Sequence, residues 1–299
     1  MFTVISDGGC DFTKEEAASL NVEIIPFYIT FDGETHLKEG IDITKEAFFQ
    51  RLIADKDLHP KTAQPNPQDY IDLYTPHLQA GKDILSLTIS SKLSGSYNSA
   101  ILAVDLLKEE YPERKIVVLD SLSVSVGQGL ILREILKMRT IGYSLERTLE
   151  RAEQVRATTQ VYITLDSLVY LKKGGRIGPT TAFVGGILGL RPILQIVDGA
   201  VSQMDSVRGK KNAYKLIREG IVAALKDSVK EIELAVGHIQ SEADATTFKV
   251  ELEEALDIKI PTGVAAVGAA LGAHAGPGAF AFAYCKKYTE VAGKERVAA

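Results

Sequence analysis

The chain has 299 residues, 45% of them hydrophobic and 24% charged, which is enough core-forming material for about two globular domains. Its net charge of -5, with no Lys/Arg run longer than a doublet, sets nucleic acid aside as the main partner, because that affinity comes mostly from cations meeting phosphates. Cys10 and Cys285 stand far apart in no metal or redox spacing and read as reduced thiols. MFTVISDGG lacks the basic flank and long apolar segment of a signal peptide. The stretches Ala182–Leu190 and Gly263–Ala273 fall short of the roughly 18 apolar residues a membrane span needs. A cytoplasmic protein without integral membrane association is expected.

In chain order, Phe2–Ser6 reads as a buried strand ending at Asp7-Gly8-Gly9, and Val22–Thr30 as a second strand. Asp32-Gly33 is a turn signal before Thr35–Leu37, which suggests a hairpin. A capped helix starts near Ile43–Phe49, and Pro67–Leu78 gives another. Ile84–Ile89 and Ile116–Leu119 are short β-branched-rich strands, and between them Tyr97, Ile101, Val104 and Leu107 recur at helical spacing. Gly127–Arg139 carries a further helical pattern. This alternation predicts a parallel sheet covered by helices on both faces, a three-layer α/β/α unit over residues 1–157.

Beyond that point the texture changes. Gln160–Leu165, Pro192–Val197, Ala200–Val207 and Glu231–His238 read as strands, with Asp198-Gly199 as a hairpin turn and helices at Lys210–Lys226 and Glu242–Leu256. Residues 158–290 are therefore expected to form an α+β domain with a mostly antiparallel sheet, followed by a tail over 291–299.

Four segments carry chemistry. TISSKLSGSYNSA, Thr88–Ala100, gathers serines where a strand ends and a helix begins, and helix N-termini favour anions. Ser94 reads either as a helix cap or as an anion donor, and Gly95 lets a ligand approach the backbone. KTAQPNP, Lys61–Pro67, places the Thr62 hydroxyl in a proline-stiffened loop. GAHAGPGAF, Gly272–Phe280, flanks His274 with glycines, which suggests close approach by other groups. LKKGGRIGP, Leu171–Pro179, reads as a basic helix end with a glycine stop, followed by the Ala182–Leu188 mixture of glycine and apolar residues that would suit the wall around a slim ligand or a tight helix contact. No G-x-x-x-x-G-K-[ST], G-x-G-x-x-G, G-x-S-x-G, H-E-x-x-H or C-x-x-C occurs, so no nucleotide cradle, nucleophile elbow or metal motif is indicated.

Taken together, the chain resembles the DegV family of bacterial fatty-acid-binding proteins. The resemblance rests on ISDGGCD (Ile5–Asp11), TAQPNP (Thr62–Pro67), ISSKLSGSYNSA (Ile89–Ala100), DSLSVSVGQG (Asp120–Gly129), LVYLKKGGRIG (Leu168–Gly178), RPIL with DG (Arg191–Gly199), VRGKKNA (Val207–Ala213) and HAGPGA (His274–Ala279), in order over residues 1 to about 285. It departs from the family pattern at Gly8, Gly9, Ala63 and Asn66, and Phe280 and Phe282 are bulky for the end of the HAGPGA element.

The resemblance implies two α/β domains with a long-chain fatty acid such as hexadecanoate in a tunnel between them. It also implies a carboxylate held by Thr62 and Ser94, with His274 nearby. Such proteins present the acid to a separate fatty acid kinase subunit that makes acyl phosphate, so the chain itself is expected to bind lipid without catalysis or cofactor. Arg208 falls in an element that serves the exposed head group or the kinase encounter. Donors from Thr62, Ser94, the Gly95 N–H and a helix N-terminus would form a neutral or weakly charged cradle without an arginine clamp, and His274, if protonated, would balance charge. Two other readings compete: a serine hydrolase acting on acyl esters through Ser94, His274 and Asp120, and a dihydroxyacetone-kinase-like sugar binder.

Overall fold

Strand and helix alternate through Thr158 in a computed structural model that describes residues 2–55, 57–177 and 190–291. The elements of this stretch are β1 (Phe2–Asp7), α1 (Lys14–Ser19), β2 (Glu23–Ile25), β3 (Tyr28–Thr30), β4 (Leu37–Lys38), α2 (Lys45–Ala54) and β5 (Lys61–Ala63). They continue with α3 (Pro67–Gln79), β6 (Asp83–Thr88), α4 (Ser96–Glu110), β7 (Ile116–Asp120), α5 (Val126–Thr140) and α6 (Leu145–Thr158). After them come β8 (Gln160–Thr164), α7 (Val169–Lys173), β9 (Leu190–Val197), β10 (Ala200–Arg208), α8 (Lys210–Leu225) and β11 (Ile232–His238). The chain closes with α9 (Glu242–Leu256), β12 (Val264–Ala266), α10 (Ala269–Ala275) and β13 (Phe280–Lys286). The Ala182–Leu188 stretch, and the tail from residue 292, lie outside the described residues.

Local chemistry sets the helix starts. Thr13, Thr44 and Ser144 each accept a backbone N–H from the third residue onward, which satisfies one orphan donor of α1, α2 and α6. Asn66 and Asp69 close a reciprocal capping box at α3, with Pro67 in the first position. The stretch expected as one strand over Val22–Thr30 is two, because Pro26 cannot donate to a ladder; β2 and β3 belong to different sheets.

Three sheets result. A parallel sheet runs β2-β1-β6-β7, a six-stranded sheet runs β10-β9-β8-β13-β11-β12, and a small antiparallel sheet runs β4-β3-β5. The six-stranded sheet is antiparallel except for its β11–β12 pair. The hairpin expected around Asp32-Gly33 is the β3–β4 pair. On one face of the parallel sheet Ile5, Ile25 and Ile84 pack with Tyr70, Tyr74 and Ala103 of α3 and α4. The opposite face carries Val4, Leu85 and Leu87 into a larger cluster with α5 and α6. That larger cluster continues without a break to Val161, Leu194, Ala281 and Ala283 of the six-stranded sheet, because α5 is buried along nearly its whole length between the two. A third cluster lies on the far side of the six-stranded sheet under α8 and α9. Among the described residues no helix is long and apolar enough to cross a membrane.

Candidate functional site

In the parallel sheet, β1 connects outward to β2 on one side and its other neighbour is β6, so the chain's winding reverses between β1 and β6. Crevices outside the carboxyl ends of strands at such a point are the usual ligand sites of open α/β sheets. Asp7 closes the bottom of this crevice: its carboxylate accepts from Gly9 N (3.1 Å), Ile89 N (2.9 Å) and Gln128 Nε2 (2.9 Å), tying the ends of β1 and β6 together. Complete burial pushes Asp7 up to about 6, opposed by those hydrogen bonds.

Above it opens a cavity of about 940 Å³ including its mouth, bounded by the β5 segment, the loop between β6 and α4, α10 and one face of the six-stranded sheet. Its lining is apolar apart from six residues. Five of these, Thr62, Gln64, Ser94, Arg176 and His274, form one contiguous group. Thr62 Oγ1 lies 2.7 Å from His274 Nε2. Arg176 Nε donates to the Leu93 carbonyl (3.2 Å), beside Ser94, and its NH1 donates to the Gly174 carbonyl (2.5 Å), beneath the His274 ring. The sixth, Ser125, turns its hydroxyl to Asp11 Oδ2 (2.5 Å) and away from any ligand.

His274 is fixed from several sides. It rides on the last turn of α10, whose first backbone N–H groups are held by acids from the other half of the chain. Asp11 accepts from Gly268 N (2.8 Å), and Glu39 accepts from Ala269 N and from Ala270 N (3.3 Å). Burial raises Asp11 to about 6 and Glu39 to about 7; the neighbouring Lys45 works against both shifts, and Asp11 adds to that of Glu39. The glycines around His274 do what their spacing suggests. A Cβ at Gly272 would run into Phe49, and Gly276 turns at a φ of +77° against the Tyr170 ring. A Cβ at Gly174 would run into His274 Nδ1.

The structure departs from the sequence expectations at several points. The ring of His274 does not carry the charge: burial, and secondarily the Arg176 cation, depress it to about 4, so it is neutral at pH 7. The positive charge at this end of the cavity is Arg176, so the group is not an uncharged cradle. Gly95 caps α4 but does not line the cavity; its missing side chain admits the Gln64 amide, which a Cβ would meet at 2.7 Å. Arg208 stands exposed at the end of β10, off the cavity wall. Phe280 contributes to the cavity wall, but its ring packs on Tyr214 and Phe248 (centroids 4.6 and 4.7 Å), and that of Phe282 on Phe248 (6.0 Å), in the cluster on the far face.

The triad of a hydrolase is not assembled. Ser94 Oγ lies 3.1 Å from Ser96 Oγ and accepts from Ser96 N (3.3 Å), whereas His274 Nε2 faces Thr62. Asp120 is engaged by Ser91 N (3.2 Å) and Leu122 N (2.9 Å), and among the described residues His274 Nδ1 has no hydrogen-bond partner to orient it.

A family model described as "Uncharacterised protein, DegV family COG1307" matches residues 1–287. The chain belongs to the DegV family. A DegV domain-containing protein of Clostridium perfringens is 33% identical to it over 285 residues, covering 95% of this chain and 98% of that one. Among solved DegV-like structures, a fatty acid (stearic acid)-binding protein from Eubacterium ventriosum superposes with a TM-score of 0.92 at 31% identity, covering 97% of this chain and 99% of that one. A DegV family protein from Thermus thermophilus, described for its fatty acid binding, gives 0.86 at 29% identity over 95% of this chain and 99% of that one. A DegV family protein from Ruminococcus gnavus, solved with vaccenic acid, gives 0.81 at 27% identity over 94% and 99%.

Proposed function

We propose that this protein binds a long-chain fatty acid in the cavity, with the carboxylate at Thr62, Ser94 and Arg176, and presents it to a separate kinase subunit for acyl-phosphate formation. The observation that carries the binding reading is the polarity of the wall: the residues able to meet a carboxylate are gathered at one end and the rest is hydrocarbon. A dozen methylenes at roughly 0.8 kcal/mol each give a gross gain on the order of 10 kcal/mol. Ordering the chain offsets part of it, which leaves room for sub-micromolar affinity. An unpaired carboxylate in the same place would cost several kcal/mol, so the head-end donors are required as much as the greasy wall.

Neutral His274 acts through Thr62. With a proton on Nε2 it donates to Thr62 Oγ1 and turns the threonine's own proton toward the ligand. Arg176 supplies the balancing charge. The carrier role, as opposed to catalysis on the acid, draws on the direction of the His274 ring, whose Nε2 faces Thr62 while the Ser94 hydroxyl meets Ser96. The kinase step rests on the family resemblance, and Arg208, exposed and away from the cavity, suits that encounter better than head-group contact.

The test is direct. Lipid released from the purified protein is identified by mass spectrometry, and the delipidated protein is titrated with stearic acid. Release of long-chain acids and saturable one-to-one binding are expected; a protein that carries no acid and binds none when it is added overturns the reading.

A further inference from the structure

We infer that the outer edge of β7 takes an added strand from another protein, an extended segment with lysine or arginine at alternate positions. β7 ends one side of the parallel sheet, beyond β6. Ile84 N donates to the Lys115 carbonyl (2.8 Å) and Ser121 N to the Thr88 carbonyl (3.1 Å), which fixes the parity of the ladder. Lys115, Val117, Leu119 and Ser121 turn their backbone groups to β6, so Ile116, Val118 and Asp120 turn theirs outward. The Asp120 carbonyl accepts from the Arg156 guanidinium (2.9 Å). Among the described residues, the N–H and C=O groups of Ile116 and Val118 have no partner on that side. Edges of this kind are normally blunted. The long edge β10 carries a register shift between Gln203 and Asp205, and the edges β2, β4, β5 and β12 have three residues or fewer. β7 instead reads Ile-Val-Val-Leu-Asp, β-branched and without proline, glycine or bulge.

Beside this edge lies a groove with Val117, Leu145 and Leu149 in its wall. α6 runs alongside β7 in step with it: Lys115 pairs with Glu146 at the start, and Arg156 meets Asp120 at the end. The helix from 146 to 156 and the strand from 115 to 120 both span about 15–17 Å, so the two stay level. Glu146, Glu150 and Glu153 stand along the groove between those contacts, and all three are exposed. Lys115 answers Glu146, whereas Glu150 and Glu153 have no ion-pair partner among the described residues. None of the groove residues lines the cavity described above.

Charge chooses the occupant. A second copy paired antiparallel about Val118 would set the two α6 helices side by side on one sheet face. Glu146, Glu150 and Glu153 would then oppose their own counterparts, and like charges so placed disfavour the pairing. A strand of alternating basic and apolar residues answers both sides of the edge. Its residues facing α6 lay an aliphatic stem over Val117 and Leu149 and carry a cation to Glu150 and Glu153, with the charged head still in water. Its residues on the opposite face meet Ile116 and Val118, which pack with the α3–α4 cluster, and apolar side chains fit there. Backbone pairing gives such a complex its affinity, and the alternation gives it selectivity.

The probe is a short, end-blocked peptide of alternating lysine and valine, titrated into the full-length protein and followed by NMR with amide hydrogen exchange. Saturable binding is expected, with exchange of the Ile116 and Val118 N–H groups slowed by about tenfold or more as they enter a ladder. Glu150→Lys combined with Glu153→Lys should weaken the peptide by roughly tenfold or more, since two attractive contacts become repulsive. Val118→Pro removes an N–H that the sheet does not use, at the kind of position where edge strands accept proline, and should fold yet lose binding. Should that variant fail to fold, the same peptide methylated at every backbone nitrogen decides, and it should not bind. Binding that survives backbone methylation, ignores the charge reversal, or leaves the β7 amides exchanging as in the free protein overturns the proposal. So does a concentration-dependent dimer that Val118→Pro abolishes, which would give the edge to a second copy.

Discussion

Replacing Thr62 by valine removes one hydroxyl and keeps the side chain's shape. Thr62 Oγ1 sits 2.7 Å from His274 Nε2, and the ring, held near 4 first by burial and then by Arg176, carries a single proton at pH 7. If that proton is on Nδ1, Thr62 donates to the ring and has nothing for a ligand. If it is on Nε2, the ring donates to Thr62 and the threonine proton is free for the carboxylate. Binding of the acid selects the second arrangement. In Thr62→Val the charged acceptor loses this donor, which costs roughly 1–3 kcal/mol, or about 5- to 150-fold in Kd. Displacement of a fluorescent fatty acid at neutral pH measures it, with Thr62→Ser as the control that keeps the hydroxyl and should stay near wild type. Wild-type affinity in Thr62→Val would refute the reasoning, since the hydroxyl would then be doing nothing for the ligand.

Four further outcomes are expected. Gly174→Ala drives a methyl group into the His274 ring; stability should fall by roughly 1–3 kcal/mol and affinity should fall with it, and thermal melts plus titration that match wild type would contradict the packing. Arg176→Gln should shift the His274 titration upward in an NMR pH series, because the cation that helps depress it is gone, and should weaken a fatty acid more than the matching fatty alcohol; an unmoved His274 signal tells against it. Glu39, raised from 4.5 to about 7, keeps a proton in the folded state that the unfolded chain has released. Its ionisation therefore subtracts stability as pH rises from about 4.5 through 7, and urea melts of Glu39→Gln across that window should be flatter than wild type, an identical slope being the adverse result. Arg208→Ala should leave fatty-acid affinity within about twofold, as for surface changes generally, while slowing acyl-phosphate formation by the kinase subunit proposed above; a large loss of affinity would return Arg208 to the head group.

What was legible in the sequence is what depends on local pattern. Strands β1, β6 and β7 show as apolar runs, the caps Thr44 and Asn66 sit at the starts of α2 and α3, and Asp198-Gly199 turns the β9–β10 hairpin. Thr62, Ser94 and His274 stand in motifs whose glycines and prolines announce close packing, and all three line one cavity. Strand β13 was harder. Phe-Ala-Phe-Ala alternates in size while remaining apolar throughout, so the usual polar and apolar alternation is missing, and nothing signals that Ala281 lines a cavity while the rings pack under α8 and α9. Helix α6 carries a signal too, since Leu145, Thr148, Ala152 and Val155 recur at helical spacing and all are buried.

The remaining site features depend on burial and on contacts between distant residues. Glu39 and Asp11 meet the start of α10 across 230 and 257 positions, and no motif joins them. The neutrality of His274 follows from its surroundings, and residue type alone leaves its charge open. Arg176 looked like part of a helix end; its place on the cavity wall becomes visible only when Gly174 is seen to lie against His274.

A crystal structure of the protein with stearic acid addresses the central claim most directly. The account predicts carboxylate oxygens within about 3 Å of the Thr62 and Ser94 hydroxyls. It also places the acyl chain along the apolar face of the six-stranded sheet that lines the cavity. A ligand lying in the opposite direction, or acid bound elsewhere with Thr62 and Ser94 turned away from it, would contradict it.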